Sequence, residues 1–380
     1  LGLMQRAEVC EALEEAALDE IFAARRPILT IVDPGTMMAL VPEAAADRQG
    51  ETWGRALDAY PNLRLAISDQ GSGLLKGVDL RGGVEHQADL FHVKRSLRRE
   101  LARLERACYE QMEEVETARR LAERGRLLES ARVQAWVELD RKEAALDRVL
   151  EAFDLTELVV RWVEEQTEVY DVRRERLRTY TGAQRVVEDA LELLGEIVAL
   201  DVRAVAAIVR GARTGLFTFL KVLERRLSQI DVHWRTVSGS RAALVSAVAR
   251  VHHWRRRAGC TKRDQQQYLT ALAGLEYWDK RTENLGEVIE AVFEAIERVV
   301  RASSAVESLN SILRPYASVK KRLNQRYLAL IALYWNTHRI PGRGKRTPFE
   351  AAGVDLGSDD WVELLEVELR RMAAESSMIN

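Results

Sequence analysis

Ala16-Ala17-Leu18-Asp19-Glu20-Ile21-Phe22 is followed by Ile28-Leu29-Thr30-Ile31-Val32 and then by Met37-Met38-Ala39-Leu40-Val41. These short apolar runs, punctuated by Pro and Gly as at Asp33-Pro34-Gly35, predict three strands. A helix opened by Glu51-Thr52-Trp53 and carrying Ala56 and Leu57 comes next. Leu63-Arg64-Leu65-Ala66-Ile67-Ser68 predicts a fourth strand ending at Asp69, and Gln70-Gly71-Ser72-Gly73 a turn into a short helix. The run from Val84 to Leu90 predicts a fifth strand. The order βββαβαβ makes residues 16–92 an α/β segment.

From His92 the period changes. Val93, Leu97, Leu101, Leu104, Cys108, Met112 and Val115 recur at spacings of four and three, one apolar helical stripe suited to bundle or coiled-coil packing. Densely charged helical patterns continue to about Arg301, with breaks expected near Gly125, Asp171, Gly182, Gly211, Gly239 and Gly259. Trp136, Trp162, Trp234 and Trp278 are expected to anchor this packing. A helix over Glu283–Val300 closes the stretch. An amphipathic helix over Gln325–Asn336, a Pro/Gly/basic loop from Pro341 to Pro348 and an acidic tail helix around Trp361 complete the chain. The domains expected are 1–92, the helical 93–300, 301–350, and the tail 351–380.

The seven prolines obey this division: Pro27, Pro34, Pro42 and Pro61 precede it, Pro315, Pro341 and Pro348 follow it, and none lies between residues 62 and 314. Proline inside a helix costs about 3 kcal/mol, so its absence permits long helices. The 380 residues carry 57 Lys+Arg against 59 Asp+Glu, a net charge of −2. That balance hides segregation. Arg301 to Arg346 holds ten basic residues and one acid, Glu307, for +9, and the remainder of the chain is −11. A local basic segment is what phosphate binding needs, although a solvated basic helix has the same charges. Three distant cysteines (Cys10, Cys108, Cys260) argue against a disulfide framework or a zinc ribbon and for a reducing compartment. No apolar run approaches the roughly 20 residues of a membrane-spanning helix. The chain begins at Leu1 without a signal-peptide pattern, which suggests a fragment of a longer protein.

Three acids stand at informative positions: Asp19 within the first strand, Asp69 at the end of the fourth, and Glu307 in Ser304-Ala305-Val306-Glu307-Ser308-Leu309-Asn310, at the start of a helix. Two strand-borne aspartates and a helical glutamate can converge on two divalent metals, and hard oxygen ligands suit Mg²⁺ or Mn²⁺. Asn310 and Arg314, at i+3 and i+7, share the helical face of Glu307. Asn310 can orient a carboxylate or a phosphate, and Arg314 can hold a phosphate or serve as a surface ion-pair partner. Lys320, Lys321, Arg322 and Arg326 would extend a phosphate track.

These residues, in this order, resemble the DDE transposases of bacterial insertion sequences. Asp89-Leu90-Phe91-His92 is similar to the Cys/Asp-x-x-His motif that follows the second acid in several such families, with Asp89 and His92 as its supporting residues. Leu330-Ile331-Ala332-Leu333-Tyr334-Trp335-Asn336-Thr337-His338-Arg339, then Thr347-Pro348-Phe349-Glu350, is similar to a common transposase C-terminus. The resemblance covers residues 16–92 and about 301–365 by motif and the middle by architecture alone. It implies an RNase H-like core with a five-stranded mixed sheet, interrupted by an all-α insertion. It also implies catalytic and metal-binding roles for Asp19, Asp69 and Glu307 around two Mg²⁺ (or Mn²⁺) ions, and DNA as the partner, both transposon ends and target. A homodimer or larger assembly and a cytoplasmic, nucleoid-associated location follow from the same resemblance. Only about 15 residues precede the first strand, too few for the usual end-recognition domain.

Asp33 competes with Asp19 for the place of first acid. Starting from Asp33 leaves only about 30 residues before the fourth strand, a poor fit for two strands and a helix. Asp33 therefore reads as a turn residue in Asp-Pro-Gly. His92 reads equally well as a structural residue at a strand-to-helix junction. His252-His253-Trp254-Arg255-Arg256-Arg257 reads as a solvated helix face or as a contact for DNA or an unpaired base. Three other functions compete: a catalytically dead DNA-binding remnant of the same fold, a helical scaffold that leaves the basic segment unexplained, and an RNase H-like nuclease that cuts without strand transfer.

Overall fold

In the computed structural model of the chain, β1 (Glu15–Ala23) pairs antiparallel with β2 (Arg26–Val32), from Ala17 opposite Val32 to Ala23 opposite Arg26. The model describes residues 7–124, 128–196, 202–235, 239–319, 323–339, 346–358 and 360–378. β4 (Leu65–Ser68) lies parallel to β1 on its other side, and β5 (Glu85–Ala88) parallel to β4. A two-residue β3 (Glu43–Ala44) lies antiparallel to β2, so the sheet order is β3-β2-β1-β4-β5. This is the mixed five-stranded sheet of an α/β fold.

The third strand is not where the apolar pattern predicts it. Met37–Val41 makes only a bridge, Val32 to Ala39, and Met37 is left-handed at φ 66°. Its backbone groups are met partly by backbone, with Leu40 N–H donating to the Ile31 carbonyl at 2.9 Å and Asp33 N–H to the Met38 carbonyl at 2.8 Å, and partly by side chains. Asn336 donates from Nδ2 to the Ala39 carbonyl and accepts the Ala39 N–H at Oδ1, and the Trp335 indole donates to the Met37 carbonyl. A buried segment whose polar groups are satisfied this way does not need a ladder.

Two compact units divide the chain: residues 1–91 with 300–380, and residues 92–299. In the first unit α1 (Ala7–Glu11) precedes the sheet, and α2 (Gly50–Asp58) and α3 (Ser72–Arg81) cover the face bearing Leu18, Leu29 and Ile31, around the fully buried Trp53. The two helices cross tightly at glycines. A Cβ on Gly73 would lie 2.0 Å from the Arg48 carbonyl oxygen, and one on Gly77 2.3 Å from Trp53 Cβ. Gly73→Ala is therefore expected to lower stability by about 1–3 kcal/mol through overpacking, measured by urea unfolding.

The second unit opens with two long helices, α4 (Leu90–Ala122), which begins two residues earlier in the first unit, and α5 (Glu129–Gln166). Val115, Ala118 and Ala122 of α4 pack on Ala135 and Leu139 of α5, flanked by the pairs Lys142–Glu114 and Arg119–Glu143. Leu97, Leu104, Cys108 and Val115 of the expected stripe are buried, while Met112 is exposed. The insertion is not wholly helical. A hairpin of β6 (Tyr170–Asp171) and β7 (Arg176–Leu177) interrupts it. The Asp171 carboxylate there receives the N–H groups of Arg173 and Arg174 and an Arg178 guanidinium, which stabilises a turn where a helix would have ended. Helices α6 (Tyr180–Glu196), α7 (Arg203–Ala212), α8 (Thr218–Ser228), α9 (Arg241–Arg255), α10 (Lys262–Asp279) and α11 (Leu285–Glu297) follow. Of the tryptophans expected as anchors, Trp136 is 46% exposed, and Trp162, Trp234 and Trp278 are only half-buried.

The chain then returns to the first unit as α12 (Ser304–Val319), α13 (Gln325–Thr337), α14 (Pro348–Ala352) and α15 (Trp361–Met378). Ala305, Val306, Leu309 and Leu313 of α12 pack against Ala17, Ile21 and Ile28, the sheet face opposite α2 and α3. Leu364 of α15 joins the core beneath α2 and α3. No helix among the described residues is long and apolar enough to cross a membrane.

Candidate active site

Strand register brings the first two acids together. Ala17 lies opposite Ile67 across the parallel pair β1 and β4, so two residues onward Asp19 comes level with Asp69, just past the end of β4. Neighbouring strands are about 4.8 Å apart. Alternation along β1 places Asp19 on the face of Ala17 and Ile21, the face covered by α12. The same strand ends form the kind of crevice where α/β sheets place their ligands.

Asp19 is held at both oxygens. Oδ1 accepts the Glu20 N–H at 2.8 Å and Oδ2 accepts from Asn310 Nδ2 at 2.6 Å, while Thr30 donates to its carbonyl at 2.9 Å. Burial pushes the carboxyl up to about 6, and the negative charges of Glu307 and Asp69 push the same way against the stabilising Glu20 and Asn310 hydrogen bonds. The three acids, from β1, the end of β4 and α12, thus act on one another electrostatically. Asp69 accepts the Gly71 N–H at 3.0 Å, which fixes the turn into α3. Glu307, half-buried in the first turn of α12 where the helix dipole favours an anion, pairs with Arg314 at 2.8 Å. Arg314 is here an ion-pair partner on the helix surface.

Asp33 sits elsewhere. Val32 is opposite Ala17, so Asp33 lies about 10 Å back along β1 from Asp19, at the other end of the sheet. Its oxygens accept the Gly35 N–H at 2.8 Å and the Thr36 hydroxyl at 2.8 Å, and the acid that acts on it is Glu14. It is a turn residue.

Asp89 is buried and fully used. Oδ1 accepts the Phe91 N–H at 2.7 Å, and Oδ2 accepts both the N–H and the hydroxyl of Ser303, the residue before α12. With Leu90 N–H donating to the Arg301 carbonyl at 2.9 Å, it anchors the start of the helix bearing Glu307. His92 lies half-buried in the first turn of α4. Arg326 is exposed in the first turn of α13, and Lys320, Lys321 and Arg322 lie outside the described residues.

Two partners of the site escape sequence reasoning. His86 on β5 contacts the Ser68 hydroxyl at 2.9 Å. That hydroxyl donates its one proton to the Asp69 carbonyl at 2.7 Å, so His86 Nε2–H must donate to it. Burial pushes His86 down to about 4 against the opposing pull of Asp69, so the ring is neutral at pH 7. Arg48 pairs with Glu20 at 2.7 Å and is further stabilised by the charge of Asp69. Neither side chain carries a local motif.

The donor set suits a hard divalent cation. A buried carboxylate facing two further acids, as Asp19 does, gains from a cation among them. Asn310 Oδ1, buried beside Asp19, has no hydrogen-bond partner among the described residues, and it is an oxygen of the same kind. Among those residues no three His, Cys, Asp or Glu side chains are already gathered as a coordinating cluster. Asn310 and Arg314 each hold one acid in its present position. No protein-family model, curated protein or solved structure matches this chain.

Proposed function

We propose that the first unit is an RNase H-like catalytic core of the DDE transposase kind, which cuts DNA phosphodiesters and joins the released 3′-hydroxyl to target DNA. The observation that carries this reading is geometric: on a sheet of order β3-β2-β1-β4-β5 the register brings Asp19 level with Asp69, and Asn310 of the helix bearing Glu307 donates to Asp19. Two Mg²⁺ (or Mn²⁺) ions supply, when bound, activation of the attacking oxygen and neutralisation of the leaving one. Asp19, Asp69 and Glu307 would hold them. Asn310 orients Asp19, and Asp89 fixes the start of the helix that carries Glu307. Arg314 is placed to exchange its carboxylate partner for a phosphate, and Lys320, Lys321, Arg322 and Arg326 continue that contact along the DNA. Transposon ends and target are the substrates, and a dimer or larger assembly would hold two ends at once.

The test joins a precleaved oligonucleotide with a free 3′-hydroxyl to plasmid DNA, using the full chain with Mg²⁺ or Mn²⁺. Joining that requires the metal and disappears in Asp69→Asn supports the reading. A folded chain that neither binds Mn²⁺ by electron paramagnetic resonance nor joins DNA overturns it. That result would favour the second reading, a non-catalytic DNA-binding remnant, whose supporting observation is the Glu307–Arg314 pair.

A further inference from the structure

The β1–β2 hairpin turns at the same end of the sheet as the three acids. Its turn residues, Ala24 at φ 49° and Arg25 at φ 69°, are both left-handed without being glycine. A two-residue turn with the strands' own twist demands this, and each such residue carries backbone strain. Phe22, on the β1 face opposite Asp19, is 51% exposed. The Arg48 guanidinium lies 5.8 Å from the centre of its ring while paired to Glu20. The Arg48 side chain is 63% exposed, which leaves most of its N–H donors uncommitted. Its backbone is fixed by the tight approach of Gly73. Arg25 and Arg26 are exposed and form no ion pair among the described residues. The open ring of Phe22 is thus flanked by Arg48, with Arg25 in the adjoining turn, about 10 Å along β1 from Asp19 and on its other face.

We propose that Phe22, Arg48 and Arg25 form a subsite for an unpaired nucleotide, with the base stacked on Phe22 and the flanking phosphates held by the two arginines. The inference deepens the functional reading above and rests on it for the nature of the ligand. An exposed ring takes up a base only through the base's face, which a duplex keeps inside its stack. Arginine adds a cation–π contribution and paired donors to phosphate oxygens. The subsite would make the proposed site prefer DNA that is single-stranded or frayed next to the cut.

The test is binding of the full chain, in EDTA, to a fluorescein-labelled 20-nucleotide oligo-dT and to a duplex of equal length, followed by anisotropy. Phe22→Ala is expected to weaken single-strand binding by roughly 5- to 150-fold and duplex binding by less than about twofold. Phe22→Trp should restore it. Arg25→Gln should flatten the log–log salt dependence by about 0.7. Single-strand binding unchanged in both Phe22→Ala and Arg48→Gln overturns the proposal, as does an equal loss on both DNAs. The assay uses neither metal nor chemistry. A chain that binds as expected but never joins DNA refutes the catalytic reading alone, and one that joins DNA without a Phe22 effect refutes this subsite alone.

Discussion

Asp19→Asn is expected to abolish metal-dependent cleavage and, at the same time, to make the protein harder to unfold near neutral pH. The carboxyl is pushed up to about 6 from an ordinary value of 3.8. Between those values the folded state binds more protons than the unfolded state, so stability falls as pH rises through that window. Above it the full penalty stands, at most about 3 kcal/mol. Asparagine removes the charge while keeping the shape, so the melting temperature should rise by about 5–10 °C at pH 8 and change little at pH 4. Mn²⁺ should stabilise the natural chain and not the variant. Cleavage should fall by about 10³-fold or more, since a lost metal site removes several kcal/mol of transition-state stabilisation. Asp33→Ala is the control. It should cost about 1–2 kcal/mol of stability by stranding Gly35 and Thr36, and should leave cleavage by the folded protein in place. An unchanged melting temperature for Asp19→Asn at pH 8 would remove the basis for coupling the three acids.

The second large effect is expected at Asp89. Replacing it with alanine strands the N–H groups of Phe91 and Ser303 and the Ser303 hydroxyl in a buried position. Hydrogen bonds to a charged group contribute about 1.5–3 kcal/mol each and do not add fully, so a loss of about 3 kcal/mol is expected in urea unfolding. Glu307 should lose its position with the start of α12, so joining activity should fall further than the unfolded fraction accounts for. Activity that follows the folded fraction alone would make Asp89 a stability residue without a role in the site.

Four strands and the helices between them are legible because their apolar runs end at Gly, Pro or Asp and keep to strand length. Met37–Val41 misleads because burial alone makes an apolar run. The backbone of Met37 and Ala39 is met by the side chains of Trp335 and Asn336, almost 300 residues away, and nothing local announces them. Asp19 can be read from its place within the first strand, Asp69 from the end of the fourth, and Asn310 and Arg314 from helical spacing. His86, Arg48 and the link from Asp89 to Ser303 cannot, because each exists only once strands β4 and β5 are paired or the chain returns as α12. The tryptophans of the insertion show the same limit: helical periodicity says which residues share a face, not which face meets a neighbour.

The hydrogen bonds from Asp89 to Ser303 span 214 positions. Closing a flexible loop of that size carries an entropy of about 5 kcal/mol, comparable to the whole stability of many domains. Order of assembly decides whether that cost is borne. If residues 92–299 fold first, less flexible chain separates Asp89 from Ser303, and Glu307 reaches the sheet at a smaller entropic cost. The insertion then serves the first unit as a built-in scaffold for its own completion. Refolding of the first unit should lag behind that of the second, and destabilising α4 or α11 should slow the appearance of Trp53 burial even though Trp53 lies in the other unit.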